Sequence, residues 1–453
     1  MKKTLFAVTM ASAVLAMPSH AADAGPALSE IISKDAAATL AQAAKELKAA
    51  QGAERNFVKQ LDTYAAFEFS PELRPKLKAI FGSERPFRLE RVEGGAKGQF
   101  NYVGSLAPYT YQQDNGTDFS WTGAMANITT DKAGRTISST GAWPSLLVTR
   151  PGSTFSVVNM TMNARQQRGA DGVAYGHAQF NVGALTVRKL PAGGDSKEAL
   201  RLDDIAVRSE VNRRGALAEI GYRTSIKAVV VGDQQVDRVN LALRVTNVPA
   251  KAMAELDKVV NAQHNSKLSD DEQARLMLKN LESFGKRAAV AGATLVIDDI
   301  SAAYRGNVAS LKGRIGFQKA TEADFKNPGA LLTKLVANFE LRLPVALVKD
   351  VSHAFAARNT DATAPDAQGQ IAKASDAMAS MVVGKSISSG FAVMDKDVLR
   401  SAIQIRNGKL TVNGKEVDVA GQLKTLGAKI FAPKAQPAPE LRPDVQPEPA
   451  AEQ

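Results

Sequence analysis

The sequence predicts an α+β protein whose centre is a long, twisted, mainly antiparallel β-sheet with flanking helices. Three observations carry this expectation. Between residues 87 and 248 apolar residues recur with a period of two, punctuated by Gly, Asn and Asp and without a helical run. Helical spacing is confined to the stretches before and after it. Finally, "RLDDIAVRSE" at 201–210 returns 95 residues later as "VIDDISAAYR" at 296–305, which points to a duplicated unit inside the sheet.

The chain of 453 residues is long enough for two or three domains and a substantial core. Lys2 and Lys3 precede an apolar stretch over residues 5–17, and Ser19-His20-Ala21 is a small-x-small cleavage site. This is the pattern of a bacterial secretory signal cut after Ala21. The apolar run is short of the about 20 residues that span a bilayer. No later stretch reads as a transmembrane segment, so the mature chain is expected to be a soluble protein of the Gram-negative periplasm. The absence of cysteine excludes disulfides, thiol nucleophiles and cysteine metal sites. Loss of Lys2 and Lys3 with the signal takes the net charge from +11 to +9. Outside the cytosol such an excess points to anionic lipid or acidic envelope polymers rather than nucleic acid, although no run of consecutive Lys and Arg forms a patch.

Five regions follow from these patterns: a signal over 1–21, a helical region over 22–84, a strand-rich domain with the first repeat over 85–262, a second repeat with helices and a hairpin over 263–431, and a disordered tail over 432–453. In the helical region the spacing of Leu28, Ile31, Ile32, Leu40, Leu47, Phe57 and Leu61 predicts two helices broken near Gly52. A shorter helix is expected in "SPELRPKLKAIFG", with Ser70 as N-cap, Pro71 at the first position and Gly82 at the stop. Residues 87–248 then give about nine strands in a meander. Among them "DFSWTGAMANITT" reads as one strand, and "RGADGVAYG" at 168–176 as a hairpin connection.

Helices return at "PAKAMAELDKVVNAQ" and at "SDDEQARLMLKNLESFGKRAAVAG", where Ser269 and Glu272 form a capping box and Gly292 marks the stop. Strands are expected at "TLVIDDISAAY", "ASLKGRIGFQK" and "LVANFELRLP", followed by a helix over 345–358 and another in "DAQGQIAKASDAMASMVV". Asn407-Gly408 marks a two-residue hairpin in "AIQIRNGKLTVNGKEV". Six prolines among the last 21 residues give the tail its disordered composition.

The repeat explains itself as architecture. Leu200 and Leu202 share one strand face, and Ile205, Val207 and Val211 the opposite phase, so the phase slips at Asp203-Asp204. Asp298-Asp299 occupy the same slip between Leu295, Ile297 and Ile300, Ala302, Tyr304. An extra residue of this kind is the mark of a β-bulge. "LAEIGYRTSIKA" matches "LKGRIGFQKA" and "VNLALRVTNVP" matches "VANFELRLP", so each copy reads strand with bulge, strand, strand, then a helix opened by Pro249 or Pro344. As catalytic groups, Asp203, Asp204, Asp298 and Asp299 would make a carboxylate- or metal-dependent hydrolase of envelope material.

Other chemistry finds little support. His177, His264 and His353 stand far apart without metal-ligand spacing, and there is no Gly-x-Ser-x-Gly elbow. Gly384-Lys385-Ser386 lacks the glycine of a phosphate loop, Ala379 standing in its place, and is expected to be a turn. No cofactor is therefore expected, and no metal.

What remains is surface. In "VNLALRV" Val239, Leu241, Leu243 and Val245 oppose Asn240 and Arg244; in "VANFELRL" Ala337, Phe339, Leu341 and Leu343 oppose Asn338, Glu340 and Arg342. The apolar side needs a cover: the sheet folded on itself, the flanking helices, or an apolar ligand in a curved groove. Leu241, Leu243, Phe339 and Leu341 are the candidate ligand-binding residues.

The N-terminal hydrophobic signal, the helical opening, the strand-rich middle, "FELRLP" at 339–344 and "GKLTVNGK" at 408–415 together resemble the YdgA-like family of bacterial envelope proteins. The resemblance spans most of the chain after the signal. It implies a place in the Gram-negative envelope and no catalytic residues, the family being a domain of unknown function. Members look membrane-anchored by an uncleaved N-terminal helix, whereas Ser19-His20-Ala21 argues for cleavage here. The expected function is a non-enzymatic envelope protein that binds an apolar ligand or lipid along its sheet, or supports another envelope protein. The alternatives are the hydrolase above and an interaction scaffold tethered by the Pro-rich tail.

Overall fold

The computed structural model describes residues 32–51, 54, 56–190, 196–263, 269–361 and 366–417. The expected signal, His264 and the Pro-rich tail lie outside them. Three helices open the described chain: α1 (Lys34–Gln51), α2 (Phe57–Ala66) and α3 (Arg74–Phe81). Asn56 caps α2 by accepting from the Lys59 N–H, and Gly82, at φ 70, closes α3 in the left-handed conformation. Ser70 is not the N-cap of α3. It sits one turn earlier, bonded to Glu46, while the helix begins at Arg74 with Pro75 in its first turn.

Eleven strands follow: β1 (Arg88–Val92), β2 (Gln99–Leu106), β3 (Tyr109–Gln112), β4 (Asp118–Trp121), β5 (Ala124–Asp131), β6 (Thr136–Arg150), β7 (Ser153–Arg168), β8 (Ala174–Lys189), β9 (Lys197–Arg214), β10 (Leu217–Val231) and β11 (Gln234–Pro249). "DFSWTGAMANITT" is two strands rather than one. β6 is long enough for β5 to pair with its first part and β4 with its last, and the change of partner falls beside Pro144, which has no N–H to offer. Helices α4 (Ala250–Gln263) and α5 (Asp270–Val290) come next, the latter opened by the Ser269–Glu272 capping box.

The second half adds β12 (Thr294–Tyr304), β13 (Asn307–Phe317), a short 3-10 turn (Asp324–Lys326), α6 (Pro328–Lys334), β14 (Leu335–Pro344), α7 (Val345–Asn359) and α8 (Ala367–Ser388). The small strands β15 (Val393–Asp395), β16 (Val398–Arg406), β17 (Lys409–Val412) and β18 (Lys415–Val417) end it. Gly384-Lys385-Ser386 lies inside α8, not in a turn. The helical run of the preceding apolar residues carries through Gly384 at a tolerable propensity cost, and the chain turns only after Gly390, at φ 74. Two type I′ turns, Asn407-Gly408 and Asn413-Gly414, have positive φ at both central residues and link β16 to β17 and β17 to β18.

All described strands pair antiparallel in one sheet. From β5 to β14 each strand pairs with the next, and β14 then pairs with β16. β11 and β12, which flank residue 262, are direct neighbours, so the two repeats β9-β10-β11-α4 and β12-β13-β14-α7 share one continuous sheet.

The two Asp pairs differ in kind. In β12 the ladder shifts register against both β11 and β13 around Asp298, so this is a true β-bulge. In β9 the phase slips, with Asp204 at φ 48, yet the register against β8 and β10 is the same on both sides. The expected bulge is absent there because the neighbours slip at the same place. Pro144, Asn159 (φ 55), Gly183, Asp204, Lys227 and Arg238 (φ 51) face one another across six strands, and the ladder is interrupted at each of these positions. Residues three apart, such as Val157 and Met160, Val182 and Leu185, or Leu202 and Ile205, consequently join one apolar cluster. The result is a transverse crease that keeps the apolar face continuous.

Candidate apolar trough on the sheet

Because directly paired residues share a face, the register assigns the sides of the sheet. Leu243 lies in a cross-strand row with Tyr222, Ile297, Gly313, Phe339, Ile403 and Val412. Leu241 lies in the next row with Thr224, Ile300, Leu311, Leu341 and Ser401. A third row joins Val211, Ile220, Val245, Leu295, Ile315, Ala337, Ile405 and Leu410. The four residues singled out from the sequence therefore do share one face. From Leu200–Val211 in β9 to Leu410–Val412 in β17 that face carries no Lys, Arg, Asp or Glu, Arg213 standing just past its edge; its polar groups are hydroxyls such as those of Ser209, Tyr222, Thr224, Tyr304 and Ser401, with the amides of Gln234 and Asn307 at the strand ends.

The opposite face is charged. Arg201 pairs with Asp203 at 3.0 Å and Arg208 with Glu210 at 3.2 Å. Arg244 donates from Nε and Nη2 to the two oxygens of Asp298 at 2.6 and 2.7 Å, a bidentate pair with Glu219 3.9 Å away. That hydrogen bonding from Arg244 holds the Asp298 carboxyl below the usual carboxylate range. Asp204 pairs with Lys227 at 3.2 Å along the crease, and Asp299 accepts from the Ser301 hydroxyl. The register sets the two Asp pairs three strands apart and roughly 20 Å from each other, too far to share a proton or one metal ion. Among the described residues no group of His, Asp and Glu is arranged to hold a metal.

Helices sit over parts of the uncharged face. Phe57 and Leu61 of α2 pack on Tyr102 and Ile128, and Phe81 at the end of α3 meets the cluster of Trp121, Leu146, Met160 and Val182. There the face is closed: Met160 is 2% exposed. Within it the Trp121 indole N–H donates to the Ala107 carbonyl. Burial and the hydrogen bond to Asp62 push the Tyr102 phenol up, and burial alone pushes Tyr64 up to about 12. Farther along, α4 lies against Val211 through Ala250, Met253 and Ala254. At the other strand end Val348 of α7 and Ala379 of α8 pack on Leu343 and Leu399.

Between these helices the floor stays open. Leu241, Leu243, Ile297 and Phe339 are half-buried, and Tyr222 (42%), Ile300 (36%) and Leu341 (40%) are exposed. Eight strand positions at the usual spacing make this floor about 35 Å wide, and the rows from Val239 to Val245 make it about 20 Å deep. The rectangle covers on the order of 700 Å² of sheet, over which the side chains of this face are apolar or hydroxyl-bearing. Gly313 shapes it: a Cβ there would collide with the Phe339 ring, so the glycine lets that ring lie across the neighbouring strand. Ile297, Ile300, Leu311, Ile315 and Ile403 belong to the floor although sequence reading did not select them. Their alternation is visible in β13 and β16, and in β12 on both sides of the Asp298 slip, but that they share the face of Leu243 emerges only from the register.

The description "Bacterial protein of unknown function (DUF945)" belongs to the family model that matches residues 61–420. The chain is a member of that family. The match runs from α2 through the crease, both repeats and the C-terminal hairpins, so the trough is built wholly from family sequence. No curated protein matches the chain.

Proposed function

We propose that this protein is a non-enzymatic component of the bacterial cell envelope that binds an acyl-bearing lipid along the uncharged sheet face. The observation that carries the reading is the floor of the trough: a charge-free face, eight strands wide, that the helices cover at its margins and leave half-open between. Each methylene transferred from water onto such a surface contributes about 0.8 kcal/mol, so an acyl chain lying across several rows gains enough to bind without a charged anchor. The signal-like N-terminus and the YdgA-like pattern support an envelope location reached by export. Among the described residues no helix is long and apolar enough to cross a membrane.

The test is uptake of a fluorescent fatty acid by the detergent-free protein. Wild type should take up the probe saturably and release it to unlabelled fatty acid, and Leu243→Asp and Phe339→Asp should each abolish uptake while the fold persists. Equal uptake by wild type and both variants would sink the proposal.

A further inference from the structure

A further apolar surface lies outside the trough. In the 14 residues of 381–394, "MVVGKSISSGFAVM", six large apolar side chains are exposed: Met381 (63%), Val382 (38%), Ile387 (40%), Phe391 (47%), Val393 (47%) and Met394 (43%). The segment is the last turns of α8, the left-handed turn at Gly390 and strand β15. Its inward members, Val383 partly and Ala392 fully buried, with Ala379 just before it, already hold it on Leu343 and Leu399, so the exposed set is surplus to its own packing. Met381 and Met394 add the adaptable side chains suited to a variable apolar surface.

We propose that this tip inserts into the surface of an anionic phospholipid bilayer and holds the trough beside it. The inference rests on the lipid-binding reading above. Two observations choose a bilayer as the occupant. First, exposed Lys385 lies within the apolar segment and exposed Lys396 two residues after it, where they can meet headgroup phosphates; of the two neighbouring carboxylates Asp395 is already held by Arg400 at 2.7 Å, so the two lysines outweigh Asp397. Second, the tip stands at the margin of the trough, on the same sheet face. Met394 pairs directly with Leu399, Leu399 pairs with Leu343, and Leu343 lies on the strand face of Leu341 and Phe339. On that line Val348, Ala379 and Ala392 pack over Leu343 and Leu399, so the tip is fixed to the margin of the trough and the open floor lies beyond those helices.

Flotation of the full-length protein with vesicles of phosphatidylethanolamine containing a minority of phosphatidylglycerol tests this. Wild type should float, and Met381→Asp/Phe391→Asp should float at least about tenfold less, given the apolar burial each side chain supplies. The same variant should still take up the soluble fatty-acid probe, because the trough floor is untouched. Lys385→Glu/Lys396→Glu, which changes no apolar contact, should lose flotation on phosphatidylglycerol vesicles and not on purely zwitterionic ones. Wild-type protein that fails to float, or an apolar-tip variant that floats like wild type, would overturn the proposal. So would concentration-dependent dimers that the tip variant abolishes without any flotation, which would make the tip a contact between two copies. Loss of probe uptake in Leu243→Asp with flotation intact speaks to the trough alone, so failure of either reading is seen separately.

Discussion

Replacing Leu243 with Asp separates an open trough from a closed core. Leu243 is half-buried between Tyr222 and Ile297. The substitution gives up about half of a leucine's burial, roughly 1 kcal/mol, and places a carboxylate where solvent still reaches, for a total of about 2 kcal/mol. Met160, on the same face beside the crease, is 2% exposed and packed among Trp121, Val157 and Val182. There Met160→Asp loses a full side-chain burial and strands a charge, on the order of 5 kcal/mol or more, which is comparable to the whole stability of many domains. Urea unfolding followed by the fluorescence of Trp121 and Trp143 measures both. Leu243→Asp should lower the midpoint modestly with an unchanged slope, and Met160→Asp should abolish cooperative unfolding. If Leu243→Asp proves as damaging as Met160→Asp, the floor is a filled core and the reasoning fails.

Two further predictions concern the sheet itself. Asp298→Asn should cost about 1 kcal/mol at neutral pH through the weakened bond to Arg244. Because the folded carboxyl titrates below its unfolded value of about 3.9, wild type holds this advantage above that pH and loses it as the pH falls through the lower, folded value. Denaturation of both proteins as a function of pH should show the gap closing only in that acid window, and a gap that persists to the acid limit would contradict the pairing. At the crease, Asp204→Gly should be within about 0.5 kcal/mol of wild type, whereas Asp204→Val should cost about 1–2 kcal/mol, because a β-branched residue resists the positive φ of 48. Equal melting temperatures for the two variants would remove the backbone explanation of Asp204.

Local signals in the sequence carried much of the fold. The Ser269–Glu272 box, Gly82 and Asn407-Gly408 each act through a few neighbouring backbone groups, and each is found where its spacing places it. Asn413-Gly414 had the same composition and could have been read the same way. Ser70 misled because a cap is defined by the conformation that follows it, and the Glu46 carboxylate, 24 residues away, engages this serine instead. The slip at Asp203-Asp204 was legible, but its meaning was not. Whether an inserted residue makes a bulge or a crease depends on what the adjacent strands do, and Pro144, Asn159, Gly183 and Arg238 are brought into line only by pairing. For the same reason alternation in β11 and β14 revealed Leu241, Leu243, Phe339 and Leu341, while the width of the face emerged from the register of eight strands.

The most direct test of the central claim is native mass spectrometry of the protein isolated without detergent from the cells that make it, followed by organic extraction. A trough that works as proposed predicts an added mass of one or more acyl-bearing lipids on the wild-type protein, absent from Leu243→Asp purified in parallel. A bare polypeptide mass for folded wild type, unchanged after incubation with phospholipid, would contradict it.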